Sequence, residues 1–444
     1  MPSADAAQLV SRPTSLRAGW YAVGVLWFAY ICSFVDRQVL ALLVDPIKSS
    51  LAIGDTALSL LQGLAFGLFY SLMGLPCGAM VDRWSRRIVI ASGVAVWSLA
   101  TVACGFAGGF WSLFAARMLV GIGEAVLSPG ALSLLSDHFP REKRVLAMSV
   151  YLSAASVGGG LAMIAGGAAI AWAAAHPMTL PGGLHLEGWR ASFVLVGVPG
   201  LLVALALLTV PEPPRGRGDA VAQQGDAGWG ETLRFMLERR TLFLRHYGGL
   251  ALFGWVCYSI TSWVPTWFVR AHGWTLPEVG WRYGAVYLVL GSAGAICGGL
   301  VAGRLRRRHP QDAALRTAAI GITGLLPFAV VGTLIGDPWV AVFVVCVGNF
   351  FMAFTSGTSV AAISEVTPAA LRGRVAAVYY LTMTLVGLTA GPLSVALCTD
   401  YLFRDPARVG DSIALVCAVV GPFSVWITWR ALPEFRRWAL PASA

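Results

Sequence analysis

The sequence predicts an all-α membrane protein, with about twelve transmembrane helices arranged as two pseudo-symmetric six-helix bundles. Three observations carry that expectation. The 444-residue chain is 57% hydrophobic and only 12% charged, with a mean hydropathy of +0.71. A soluble domain carries about 25% charged residues. Apolar runs long enough to cross ~30 Å of hydrocarbon recur along nearly the whole chain. The second half also repeats the first at an offset of about 220 to 230 residues with the same topology. Ser136-Asp137-His138-Phe139-Pro140 precedes Arg144 as Ser364-Glu365-Val366-Thr367-Pro368 precedes Arg372. Gly78 leads to Asp82-Arg83 and Arg86-Arg87 as Gly299 leads to Gly303-Arg304 and Arg307-Arg308.

Taken in order, the spans of the first half read as Gly19–Val44, Leu58–Met80, Ile88–Ala107, Trp111–Leu135, Val145–Ala171 and Trp189–Val210. Those of the second half read as Leu242–Val269, Val279–Leu300, Thr317–Ile335, Trp339–Ile363, Val375–Leu397 and Ser412–Leu432. The organisation is then a tail over 1–18, a bundle over 19–210, a linker over 211–241, a second bundle over 242–432 and a tail over 433–444. The first apolar run is too long for a signal h-region and reads as the first span. The linker is rich in Pro, Gly and charge, a flexible joint. It leads into Trp229–Arg245, where Leu233, Met236, Leu237 and Leu244 recur at helical spacing among arginines, an amphipathic helix for the inner surface.

The net charge of +10 would suit nucleic acid, but its placement argues otherwise. Arg83, Arg86 and Arg87 share one short loop, Arg141, Lys143 and Arg144 another, Arg304, Arg306, Arg307 and Arg308 a third, and Arg372 and Arg374 a fourth. Intervening loops such as Ala107–Gly109 and Gly336–Pro338 are poorer in Lys and Arg. That is the positive-inside pattern. It predicts cytoplasmic basic loops, both termini cytoplasmic, and residence in the cell's inner (plasma) membrane. No nucleic-acid partner is expected; membrane lipids are. The eight cysteines lie singly in apolar runs, with no CxxC pair, so neither a disulfide framework nor a metal site is implied. The six histidines lie in loops or at span ends, without an HExxH pattern. No cofactor and no enzymatic reaction are expected, and nothing resembles a channel filter or charged pore ring.

Charges inside spans are functional by default, since each costs at least ~2.5 kcal/mol on insertion scales. Asp36 and Arg37 fall inside the first span. Asp36 can exchange a proton whereas Arg37 cannot. The neighbouring guanidinium favours the carboxylate, and desolvation favours the neutral acid. A poised acid of this kind suits proton coupling; the alternative is a static ion pair that fixes packing. In the fourth span Arg117 and Glu124 are seven residues apart, nearly two turns at ~100° per residue, so they share a face. Gly121 and Gly123 between them admit a close neighbour. Arg117 reads as an anion anchor or a structural arginine, and Glu124 as a second titratable group. Asn349 is the strong polar side chain of the tenth span, and Tyr30, Tyr70, Tyr258, Trp263, Tyr283, Tyr287, Tyr379 and Tyr380 are aromatic candidates for a cavity wall or for packing. Expected substrate contacts are Arg37, Arg117, Glu124, Tyr30, Tyr258, Trp263 and Asn349. Pro129, Pro199, Pro265 and Pro392 mark expected kinks.

The run Gly78–Arg87 is the most specific motif. Gly78 permits close packing of helix ends, and Asp82 can pair with cations or with a neighbouring helix N-terminus. Gly78, Asp82, Arg83, Arg86 and Arg87 are therefore read as a conformational latch.

Parallel repeats of six helices resemble the major facilitator superfamily. Val35-Asp36-Arg37-Gln38, Asp45-Pro46-Ile47-Lys48, Gly63-Leu64-Ala65-Phe66 and the Gly78–Arg87 run resemble bacterial spinster-like members. Arg117 to Gly123-Glu124-Ala125, Ser128-Pro129, Asp137-His138-Phe139-Pro140 and Pro211-Glu212-Pro213-Pro214-Arg215-Gly216 extend the likeness. It thins after Gly230 to Pro265, Gly273 and Pro368–Arg374. The loop His176–Glu187 reads as longer than the family's usual one. The resemblance implies a secondary transporter working by rocking of two halves, with Asp36 and Glu124 as the protonation pair and Arg37 tuning Asp36. It implies an amphipathic lipid-like anion as cargo, a lysophospholipid or sphingolipid, with protons as co-substrate and a monomer as the working unit. The alternative is a proton-driven symporter of a hydrophilic organic anion of sugar-acid type, with Arg37 or Arg117 as counter-charge.

Overall fold

The computed structural model describes residues 16–179, 185–214, 228–368 and 370–439. Most of the expected N-terminal tail, much of the linker, part of the His176–Glu187 loop and the end of the C-terminal tail lie outside the described residues. The first half comprises α1 (Leu16–Leu42), α2 (Val44–Leu51), α3 (Asp55–Gln62), α4 (Leu64–Arg83), α5 (Arg86–Cys104), α6 (Phe110–Glu124), α7 (Leu127–His138), α8 (Arg141–Ala175) and α9 (Gly188–Thr209). The second comprises α10 (Trp229–Glu238), α11 (Arg240–His272), α12 (Leu276–Arg308), α13 (Ala313–Val331), α14 (Pro338–Val366), α15 (Arg372–Leu397) and α16 (Val409–Trp438).

Eleven helices among the described residues are long and apolar enough to cross a membrane. The twelfth crossing is α11, whose 33 residues reach about 50 Å as a helix. Its apolar character is diluted by Tyr258, Thr261 and Ser262, which face a cavity between the halves. The chain is therefore an all-α membrane protein of two six-helix bundles. The loop after α8 adds one small pairing that the all-helical reading omits: β1 (Met178–Thr179) runs antiparallel to β2 (His185–Leu186).

Two crossings are broken, each for a local reason. In the fourth, α6 stops at Glu124 and α7 resumes at Leu127; Pro129 has no amide hydrogen to offer the Ala125 carbonyl four residues back. In the second, α3 and α4 meet at Gly63. A Cβ there would lie 2.0 Å from the Leu388 carbonyl oxygen of α15. That carbonyl is the one Pro392 deprives of its helical donor, so a proline in one half and a glycine in the other make one close contact. Pro199, Pro265 and Pro392 themselves lie within continuous helices. The amphipathic helix is shorter than its sequence pattern: α10 ends at Glu238, and Leu244 belongs to α11.

The halves meet through α8 against α12, α3 and α4 against α15, and α1 against α11. The bonds that join them lie near the face opposite the basic loops. Arg270 of α11 reaches Asp45 at 2.6 Å and Asp55 at 2.8 Å. Lys48 also reaches Asp55, at 2.5 Å. The backbone amide and hydroxyl of Thr56 donate to Asp400 at 2.8 and 2.7 Å, and the Thr266 hydroxyl donates to the Ala41 carbonyl at 3.4 Å. Toward the basic face Asp82 and Arg83 are exposed, and a Cβ on Gly78 would meet nothing within 4 Å. Among the described residues, the bonds between the halves gather on the side away from the basic loops; the basic side, where none is seen, is the parted one.

The internal repeat survives in the paired acids Asp137 and Glu365, although the second-half partner, Arg306, stands one position before Arg307, the counterpart of Arg86. Arg86 pairs with Asp137 in the first half; in the second, Arg306 pairs with Glu365 at 2.6 Å. Arg86 is 2% exposed. It also donates its backbone amide to Glu212 at 2.7 Å and its guanidinium to the Pro213 carbonyl at 2.7 Å, fastening the start of the linker to the bundle. Removing one member of a buried pair strands the other charge, at a typical cost of ~3–5 kcal/mol. Arg86→Ala is therefore expected to lower the thermal unfolding midpoint in detergent by several degrees, more than Arg83→Ala at its exposed neighbour. Equal midpoints for the two variants would refute the assignment.

Candidate functional site

The charged residues of the first span diverge as helix geometry requires, since neighbours in sequence do not face each other. Asp36 turns toward α5, where its Oδ2 accepts from the Thr101 hydroxyl at 3.2 Å. Arg37 turns toward α6 and grips Glu124, with Nη2 at 2.5 Å and Nε at 2.7 Å from Oε2. The same oxygen accepts from Ser33 at 2.7 Å. Arg37 therefore forms its ion pair with Glu124 and leaves the hydrogen bond to the adjacent Asp36 to Thr101. Its guanidinium also lies 4.7 Å from the centroid of the Phe66 ring and 4.9 Å from that of Tyr70.

Arg117 and Glu124 both address α1. Arg117 donates to the Asp36 carbonyl at 3.2 Å, which links the fourth span to the backbone of the first. Asp36, Arg117 and Glu124 are each at most 2% exposed. Asp36 Oδ1, Glu124 Oε1 and Arg117 Nε are buried without a hydrogen-bond partner. Buried polar atoms are nearly always satisfied, so three without a protein partner in one cluster single it out as the candidate site.

That place adjoins a cavity of ≈ 280 Å³ between the halves. Its first-half wall carries Arg37, Gln38, Gln62, Phe66 and Arg117; its second-half wall carries Phe253, Tyr258, Tyr287, Met352 and Met383. The cations stand on one side, and the facing wall is neutral and largely apolar. Of the expected contact residues, Arg37, Arg117 and Tyr258 line the cavity, and Glu124 lies behind Arg37. Tyr30 does not; it stacks on Tyr151 at 5.3 Å. Trp263 and Asn349, expected at the wall, are packed elsewhere. The Trp263 indole donates to the Pro392 carbonyl at 3.0 Å, and the Asn349 amide donates to the Tyr283 hydroxyl at 2.9 Å. Both are polar groups satisfied within the second bundle, which explains their tolerance of burial.

The latch residues separate into two sets. Arg86 is fixed inside the first half as described, and Arg87 donates to the Val210 carbonyl at 3.4 Å. Gly78, Asp82 and Arg83 face the parted side. Sequence reasoning missed Ser33, Thr101, Gln38 and Gln62. Gln38, and Ser33 one turn before Arg37, were within reach of the rule that singled out Asn349, a polar side chain inside a span. Thr101, in the third span, and Gln62, in the second, fall under the same rule.

A bilayer-crossing helical protein with buried charges beside a cavity between two repeated halves is a solute carrier in architecture. The chain belongs to the Major Facilitator Superfamily, whose sequence profile matches residues 26–392, and is thus a membrane transporter by family. Within that superfamily it resembles the spinster transporters. Protein spinster homolog 1 of Homo sapiens is 28% identical over 443 residues, covering 93% of this chain and 80% of that one. An MFS-type efflux pump of Mycolicibacterium smegmatis is 28% identical over 437 residues, covering 95% and 94%. The crystal structure of a bacterial homolog of the human lysosomal transporter Spinster, inward-facing and unoccupied, superposes with a TM-score of 0.77 at 25% identity, covering 97% of this chain and 100% of that one.

Proposed function

We propose that this protein is a proton-coupled rocker-switch transporter of an amphipathic lipid-like anion such as a lysophospholipid or sphingolipid. It would sit in the inner membrane with its basic loops and both termini in the cytoplasm, in an inward-open state. The observation that carries the reading is the double role of Arg37. It neutralises Glu124, whose side chain is fully buried, yet stays 24% exposed at the cavity wall. An anion entering the cavity competes with Glu124 for that guanidinium. A buried carboxylate without its cation is costly by several kcal/mol, and a proton on Glu124 removes the cost. Anion binding and protonation are thereby linked through one side chain, and Asp36, with its free buried oxygen, offers a second proton position. The spinster resemblance supplies the cargo class, and the apolar second-half wall suits a tail. Asp82 and Arg83 would engage the second half once the basic face closes.

One observation favours the alternative. The cavity's ≈ 280 Å³ is at the lower edge of the ~300–1,000 Å³ of pockets that enclose a drug-sized ligand. It holds a headgroup or a sugar acid, so a lipid's chain would have to extend into the parted crevice.

The test is proton flux in proteoliposomes of purified protein, challenged first with a lysophospholipid and then with a panel of sugar acids. Proton movement on lysolipid addition, lost in Asp36→Asn, is the expected result. Flux with the sugar acids alone would transfer the assignment to the hydrophilic class. Wild-type coupling in Asp36→Asn would remove Asp36 from the mechanism.

A further inference from the structure

A second cavity lies outside the transport path, on the lipid-facing side of the second half between α13 and α16. It measures ≈ 620 Å³ and is walled by Leu326, Val425, Trp426 and Trp429, with Arg430 at one end. Beside it Gly421 brings α16 close to α13, since a Cβ there would lie 2.2 Å from a methyl of Leu326. The Trp429 indole donates to the Thr323 hydroxyl at 3.0 Å, which fixes one wall.

Val419, Phe423, Trp426 and Arg430 are exposed and spaced four, three and four residues apart, so they form one stripe along α16. From Val419 to Arg430 a helix rises about 16 Å at 1.5 Å per residue. One leaflet's share of a ~30 Å hydrocarbon core is about the same length. Arg430 lies toward the basic face, and its guanidinium stands 5.5 Å from the Trp426 ring. Glu434, one turn further on, is instead approached by Arg245 at 3.8 Å. Among the described residues Arg430 has no carboxylate partner. An apolar groove in a bilayer is filled by lipid, and a cation at headgroup height without a counter-ion selects among lipids.

We infer that this groove is a binding site for an anionic phospholipid of the leaflet on the basic side, with an acyl chain along Trp426 and the headgroup phosphate at Arg430. The site is distinct from the central cavity and does not depend on what the central cavity carries.

Native mass spectrometry of the full-length protein, titrated with phosphatidylglycerol and phosphatidylcholine of matched chains, tests it. The wild-type protein is expected to hold phosphatidylglycerol more tightly. Arg430→Gln should weaken that lipid about five-fold, the worth of one basic side chain near the membrane surface, and leave phosphatidylcholine unchanged. Arg430→Lys should restore the preference, separating lost charge from lost fold. Trp426→Ala should weaken both lipids. Equal binding of the two headgroups by the wild-type protein, or an unaltered preference in Arg430→Gln, would overturn the site.

Discussion

Glu124→Gln is expected to uncouple transport from the proton gradient. The substitution keeps the shape and the hydrogen bond to Ser33 but removes the charge that holds Arg37. Arg37 is then free for the cargo at every pH, and no proton need be bound or released as the halves exchange. Gradient-driven uptake into proteoliposomes should fall at least ten-fold, since a buried ion pair is worth ~3–5 kcal/mol when one partner is lost and 1.4 kcal/mol is ten-fold. Cargo exchange at equal pH on both sides should survive. Arg37→Gln should do the opposite: Glu124 is left buried without its cation, and both modes of transport fail together. An unaltered pH dependence of uptake in Glu124→Gln would refute the competition for Arg37.

The second large effect is expected at the closed face. Arg270 is bonded to both Asp45 and Asp55, and the Asp55 side chain is fully buried. Arg270→Ala leaves two carboxylates facing each other with Lys48 alone between them, and Lys48 belongs to the same half. The ionic bridge between the halves is then lost and the neutral-donor bonds of Thr56 and Thr266 remain, while the parted basic face is unchanged. Breaking such a network costs several kcal/mol, and ~5.5 kcal/mol is enough to invert a 99:1 population. Spin labels on cysteines replacing Ala52 and Arg404, both exposed on that face, should report one distance in an otherwise cysteine-free wild type. A longer distance should dominate in Arg270→Ala. Identical distance distributions would show that packing of α8 on α12, not this network, closes the face.

Hydrophobic run length and the basic loops made the spans legible, because the bilayer imposes both directly on sequence. The break at Gly63 illustrates the limit. Gly63 is explained by a carbonyl 325 positions away in the chain, at Leu388. The charged candidates Asp36, Arg37, Arg117 and Glu124 were legible because lipid makes every intramembrane charge conspicuous. Their partners were not, since a helix face gives direction without saying who stands opposite.

The amino-acid sequence by itself determined the membrane class, the repeat of two halves and the few ionisable groups that must have a reason to be there. Hydrophobicity, charge placement and helical period are properties of short stretches, and each is written locally. Tertiary structure alone decided that Arg37 forms its ion pair with Glu124, that Trp263 and Asn349 bond within the second bundle, and that Arg270 bridges the halves. Those outcomes depend on which side chains from distant segments arrive within ~3 Å of one another, the range over which a hydrogen bond forms. No local property of the chain encodes that distance.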